Sequence, residues 1–175
     1  MTQPQPIDLL AIAASNGENL SLAHRFVAAA LDQDLSAAVL DLTAIDLPLF
    51  TPRAHAAGTP PASSGLHDQL RGAVRWVICA PEYNGSIPPV LTSAIAWFST
   101  QGNDFRTLFN GTAVVIATHL GSGGYGVMAA LRLQLAHLGA HVVARQLVST
   151  ISNPVKDASI VDLIDRVKQL QPLQF

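Results

Sequence analysis

The 175 residues carry ten Lys+Arg against twelve Asp+Glu, a formal charge of −2, which excludes the dense basic face that a nucleic-acid backbone requires. The same balance lacks the strong acidity of an electrostatically steered electron carrier. Hydrophobic residues at 49% against 13% charged argue for a large core and against disorder, and so weakly charged a surface predicts cover by another subunit.

The length fits one domain, residues 1–175. Cys79 is the single cysteine and cannot form an internal disulfide, which fits a reducing cytosol. The N-terminal segment 1–6 has no basic n-region, and no apolar run nears the roughly 18 residues of a spanning helix. A cytoplasmic protein with no membrane partner is expected.

Residues 7–13 form a short apolar run that ends at the turn dipeptide Asn16-Gly17, a first strand. Leu20, Ala23, Val27, Ala30 and Leu31 recur at helical spacing over 20–31, with Asn19 or Ser21 placed to cap the start. Residues 36–42 read as a second strand. Pro52, Gly58, Pro60, Pro61 and paired serines make 48–65 a predicted loop, followed by a short helix over 66–71. Residues 74–80 are a third strand, and Pro88-Pro89 open a helix through Ser99, proline suiting a first turn whose N–H is unpaired anyway. A fourth strand covers 112–118, a helix about 127–138, a fifth strand 141–148, and Ile160, Leu163, Ile164, Val167 and Leu170 trace a last helix.

Strands that are nearly continuous apolar runs, alternating with helices, imply a parallel sheet covered on both faces. Five βα units match a flavodoxin-like, three-layer α/β sandwich, a five-stranded parallel sheet in the order 2-1-3-4-5. In that order the ligand crevice lies outside the carboxyl ends of strands 1 and 3.

Three unusual loops border this crevice. The first, 14–21, carries Ser15, Asn16, Asn19 and Ser21 ahead of a helix, where backbone N–H groups and the helix dipole favour an anion. It contains no Lys or Arg, so a phosphate there would be bound by neutral donors; an ordinary N-cap with an Asx-turn is the plain alternative. The second, 80–89, offers Tyr83, exposed amides and stiffening prolines that could seat a flat heterocycle, and it exceeds the usual connection of about two to six residues. The third, Gly121-Ser122-Gly123-Gly124-Tyr125-Gly126, satisfies G-x-G-x-x-G. It follows the fourth strand rather than the first, and no Asp or Glu stands between Gly126 and Asp157, so a dinucleotide fingerprint is rejected. Close backbone approach to a ligand explains the glycines better.

Glu18 and Glu82 are the two glutamates of the chain, and both fall in these loops; nothing in the sequence fixes their separation, so no acid/base pair follows. Gly139 separates His137 from His141, which argues against a metal pair, and His119 at the end of strand 4 is the histidine expected near a ligand. Cys79 reads as a small core hydrophobe, and Trp97 with Phe98 as a dimer contact.

Pro81-Glu82-Tyr83-Asn84-Gly85-Ser86-Ile87-Pro88-Pro89-Val90-Leu91, followed by Ala94-Ile95 and Trp97, resembles the NADPH-dependent FMN reductase family, flavodoxin-like proteins that include quinone, chromate and azo-dye reductases. Asp46-Leu47-Pro48-Leu49-Phe50, the serine-bearing first loop and the Gly-rich loop extend the likeness nearly end to end. The resemblance implies noncovalent FMN, with its phosphate on Ser15, Asn16, Gly17, Asn19 and Ser21. Its ring would be bordered by Pro81, Glu82, Tyr83, Asn84 and Gly85, with Ser122 and Gly123 on the other side. It implies hydride transfer from NAD(P)H to the flavin and on to a quinone-like or other acceptor, with no catalytic side chain, in a homodimer or homotetramer. Arg53, Arg106 and Arg132 are candidates for the 2′-phosphate of NADPH. The chain departs from the family where Ala14-Ser15 replaces Gly-Ser, Gly17 stands near the place of an arginine, and Thr92-Ser93 and Ala96 replace a Lys-Asn and an Asp. The missing arginine keeps a second function in view, a flavin-binding, redox-responsive module without significant turnover.

Overall fold

A computed structural model describes residues 6–100 and 104–171, so all but Pro6 of the N-terminal segment read above lies outside the described residues. The strands β1 (Leu9–Ala13), β2 (Ala37–Asp41), β3 (Arg75–Cys79), β4 (Ala113–Leu120), β5 (His141–Val142) and β6 (Leu147–Thr150) form one parallel sheet. Its order is β2-β1-β3-β4, with β5 and β6 both on the far side of β4. The 2-1-3-4-5 arrangement expected from the sequence is therefore present.

Side-chain alternation divides the core into two layers. Leu10, Ile12, Trp76, Ile78, Val114 and Ile116 face α3 (Pro61–Arg71), α4 (Pro89–Phe98) and α5 (Tyr125–His137). Leu9, Ala11, Ala13, Val77, Val115 and Ala117 face α1 (Glu18–Leu31) and α6 (Asp157–Gln169). Both faces being covered is why the strands read as unbroken apolar runs. Cys79 is fully buried in the second layer, and burial holds its thiol far above the ordinary range. We expect no labelling of the native protein by a thiol reagent over minutes, and one thiol per chain in denaturant. Rapid labelling of the native protein would show that this layer opens.

Four local expectations need correction. The fifth strand, read as 141–148, is split: His141 and Val142 pair with Ala113 and Val114, but Leu147 pairs with Ala117, so the register slips by two residues. The surplus residues bulge out because Arg132 on α5 captures the carbonyls of Val143 and Ala144 at 3.1 and 3.2 Å and Oε1 of Gln146 at 3.2 Å. The segment read as a loop over 48–65 holds α2 (Pro52–Ala56) and the first half of α3. Pro52 and Pro61 occupy first helical turns, and Ser63, Leu66 and Leu70 line one buried face of α3.

α1 starts at Glu18 after Gly17, with no side-chain cap, so neither Asn19 nor Ser21 is the N-cap. Trp97 and Phe98, expected in a dimer contact, are buried within the chain. Trp97 donates its indole N–H to the Pro48 carbonyl at 2.7 Å and meets Phe50 edge-on at 5.0 Å, tying the 48–50 segment over α4.

Candidate functional site

The parallel ladder itself brings the three loops together. Ala14 N–H continues it onto the Cys79 carbonyl at 2.9 Å, and Ala80 N–H onto that of Ala117 at 3.0 Å, so β1 and β3 end side by side while β4 runs on to Leu120 beside them. The loop after β1 enters α1 at once. The Gly17 carbonyl accepts from Leu20 and Ser21 at 2.9 and 3.0 Å, while the N–H groups just ahead of these have no acceptor within the helix. Asn16, Gly17 and Ser21 are exposed and Ser15 is half-buried. Asn19 is the exception. It is buried, and its carboxamide grips the backbone of His119 from both sides: Nδ2 donates to the carbonyl and Oδ1 accepts from the N–H, each at 2.9 Å.

His119 itself lies half-buried at the end of β4. Its Nδ1 sits 3.0 Å from Oγ of the buried Ser149, and that oxygen already accepts from Val155 N–H at 3.0 Å.

The loop after β3 is tighter than its composition suggested. Tyr83 and Ser86 exchange two backbone hydrogen bonds at 3.1 and 3.0 Å, with Asn84 and Gly85 at φ 52° and 74°. Positive φ at both central positions is the type I′ turn, for which Asn-Gly is the favoured pair. Pro81 is buried, Glu82 half-buried, and Tyr83, Asn84 and Gly85 face outward.

The Gly-rich loop after β4 packs against this turn. A Cβ on Gly126 would stand 2.2 Å from the Gly85 carbonyl oxygen, so only glycine permits the approach. Gly123 and Gly124 take φ 88° and 96°, and Gly124 is buried against Thr118, Leu120 and Val148. Glu82 Oε2 accepts from Val127 N–H at 2.9 Å, which binds the two loops together. Ser122 and Gly123 remain exposed.

Ser15, Asn16, Gly17 and Ser21 thus share one end of a rim that continues through 81–85 and 121–124, while Asn19 turns inward. The contacts of two contributors were missed from the sequence. Gly126 shares the sequence expectation that the glycines of its loop approach a ligand, but its close neighbour is the Gly85 carbonyl. Thr118 gave no signal; it is buried beneath Gly124, and its hydroxyl has no hydrogen-bond partner. Among the described residues no cluster of three His, Cys, Asp or Glu could hold a metal, and no helix is long and apolar enough to cross a membrane.

These features fit a flavin mononucleotide. The first loop supplies neutral N–H and hydroxyl donors with a helix N-terminus behind them, which suits a phosphate without a cation. Gly17, Gly85 and Gly121 have open space where a side chain would stand, leaving bare backbone along the rim.

A doubly wound sheet in this strand order, with these loops following its central strands, defines the flavodoxin-like class. FerB, an NAD(P)H:acceptor oxidoreductase flavoenzyme of Paracoccus denitrificans, superposes with a TM-score of 0.75 at 16% identity, over 94% of this chain and 99% of its own. The apo form of the NADH:FMN oxidoreductase EmoB gives 0.70 at 19% identity over 96% and 91%, and an archaeal flavodoxin 0.63 at 11% over 93% and 100%.

The sequence narrows the class: residues 7–153 match the NADPH-dependent FMN reductases, and the chain belongs to that family. An NAD(P)H-dependent FMN reductase of Pseudomonas aeruginosa is 40% identical over 53 residues, a stretch that spans 30% of this chain and 29% of that relative. Membership of that family supports the expected use of FMN and NAD(P)H.

Proposed function

We propose that residues 1–175 act as one FMN-binding unit that takes hydride from NAD(P)H and delivers it to a quinone-like acceptor in the cytosol. The observation that carries this reading is the shared rim of loops 14–21, 80–89 and 121–126. Its polar end offers N–H and hydroxyl groups to a phosphate, and its other end offers backbone on two sides of a flat ring. FMN, when bound, supplies the carrier of the electron pair between donor and acceptor. The chain's own task is then placement. Ser15, Asn16, Gly17 and Ser21 hold the phosphate. Pro81, Tyr83, Asn84 and Gly85 border one side of the ring, and Ser122 and Gly123 the other. The exposed ring of Tyr83 covers a stacked nicotinamide or acceptor.

Homo-oligomerisation is part of the proposal, on a different surface from the one first expected. A groove of about 610 Å³ between α4 and α5 is lined by Ile87, Thr92, Ala130, Leu133, Gln134 and His137. Leu133 is 74% exposed there, an apolar side chain that a second copy would cover.

Anaerobic mixing of FMN-loaded protein with NADPH or NADH tests the reading. Bleaching of the flavin band within seconds, and recolouring on addition of a quinone, are the expected results. A protein that stays yellow in both reductants overturns the reductase and leaves the binding module. A protein that takes up no FMN overturns both.

A further inference from the structure

α5 begins without a cap of its own. Gly124 precedes it, no acidic residue stands in its first turn, and its third residue, Val127, needs an acceptor for its N–H. That acceptor comes from a different loop: Glu82, 45 positions earlier, places Oε2 at 2.9 Å from the Val127 nitrogen. A carboxylate on a helix N-terminus gains from the dipole and from a charge-assisted hydrogen bond.

Two further contacts show that the join is close on every side. A Cβ on Gly126 would stand 3.0 Å from Glu82 Oε2 as well as 2.2 Å from the Gly85 oxygen, and one on Gly123 would stand 3.5 Å from Glu82 Oε1. Glu82 therefore lies in the seam between the 83–86 turn and the 121–126 loop. Both partners are stiff: the turn is closed by two backbone bonds, and the loop is anchored through the buried Gly124.

We propose that Glu82 is a positioning residue, a latch that fixes the spacing between the two loops by capping α5. This rests on the reading of those loops as the borders of the flavin ring. What matters in Glu82 is then an acceptor oxygen at a fixed place, rather than a proton to exchange. Gln retains such an oxygen and Ala does not, so the latch predicts that Glu82→Gln keeps the join and Glu82→Ala loosens it.

The test compares wild type, Glu82→Gln and Glu82→Ala in two measurements. The first is amide hydrogen exchange of the apoprotein at Val127, with the amide of Leu163 in α6 as the control for global opening. We expect Glu82→Ala to speed Val127 exchange about tenfold or more relative to that control, and Glu82→Gln less than about threefold. The second is the FMN dissociation constant from quenching of flavin fluorescence. It should rise about tenfold or more in Glu82→Ala and stay within about threefold in Glu82→Gln. Unchanged exchange at Val127 in Glu82→Ala overturns the latch. So does FMN affinity that is unaltered while exchange rises, or a Glu82→Gln variant as weak as Glu82→Ala. Wild-type protein that binds no FMN would instead overturn the functional reading, a result separate from all three.

Discussion

Gly126→Ala should lower FMN affinity by about a hundredfold or more while costing the fold no more than about 2 kcal/mol. The two effects separate because they arise in different places. Within α5, alanine in place of glycine gains roughly 0.5–1 kcal/mol of helix propensity. Against the neighbouring turn, the new methyl would lie 2.2 Å from the Gly85 oxygen and 2.9 Å from its carbonyl carbon, about 1 Å inside ordinary contact. Neither atom belongs to a side chain that can swing away. Gly85 is held between the paired Tyr83 and Ser86, so the turn moves as a body and carries Tyr83 and Asn84 with it. Overpacking of this kind costs about 1–3 kcal/mol, part of which the helix term offsets. The displaced turn is one wall of the proposed ring site, and there the misfit is felt in full. Fluorescence titration with FMN and a thermal melt of the apoprotein check both halves. An affinity equal to wild type would mean that the loops slide apart without consequence, and the rim would then not be the binding surface.

The sheet was legible because its signals are local and redundant. β1 and β4 are mostly Leu, Ile, Val and Ala, β3 carries Trp76, Val77, Ile78 and Cys79 in succession, and each is buried on both faces. What could not be read depends on partners distant in sequence. The split of β5 from β6 follows from Arg132, which bonds carbonyls 11 and 12 residues further on, and no feature of 141–148 announces it. α3 was concealed by Pro61, the paired serines and Gly65, residues that usually punctuate loops, although Pro61 stands at a first turn where it is harmless. The inward face of α4 was misassigned for a different reason. Its sequence Pro-Val-Leu-Thr-Ser-Ala-Ile-Ala-Trp-Phe has too little polar contrast to show which side meets solvent, and the carbonyl that captures Trp97 lies in the 48–50 segment. The rim itself was legible in its composition and its order, because polar and glycine-rich stretches cluster after the three central strands. The work of Asn19 and Glu82 within it was not legible. Both carry side chains suited to a ligand, and only the folded chain shows each turned to a backbone group of another element, Asn19 to β4 and Glu82 to α5.

Asn19→Ala should destabilise the apoprotein by roughly 2–4 kcal/mol, a loss that a ligand-contacting asparagine would not produce. The carboxamide satisfies both the N–H and the carbonyl of His119, and the asparagine is only 3% exposed. Truncation leaves two backbone groups at the end of β4 without partners, at about 1–3 kcal/mol each where water cannot reach them. Asn19→Asp should do no better. One carboxylate oxygen can still accept from the His119 N–H, but the other then opposes the His119 carbonyl, oxygen against oxygen. A direct phosphate ligand would behave differently. Its loss would weaken FMN, spare riboflavin (which has no phosphate), and leave the apoprotein melting temperature unchanged. For a brace between the first loop and β4, the melting temperature falls by roughly 5–15 °C. Affinity for FMN and for riboflavin then falls together, because the rim they share has lost its tie. Denaturant unfolding of the apoprotein and parallel titrations with the two flavins decide between the roles. A stable Asn19→Ala protein with a defect confined to FMN would return Asn19 to the phosphate site.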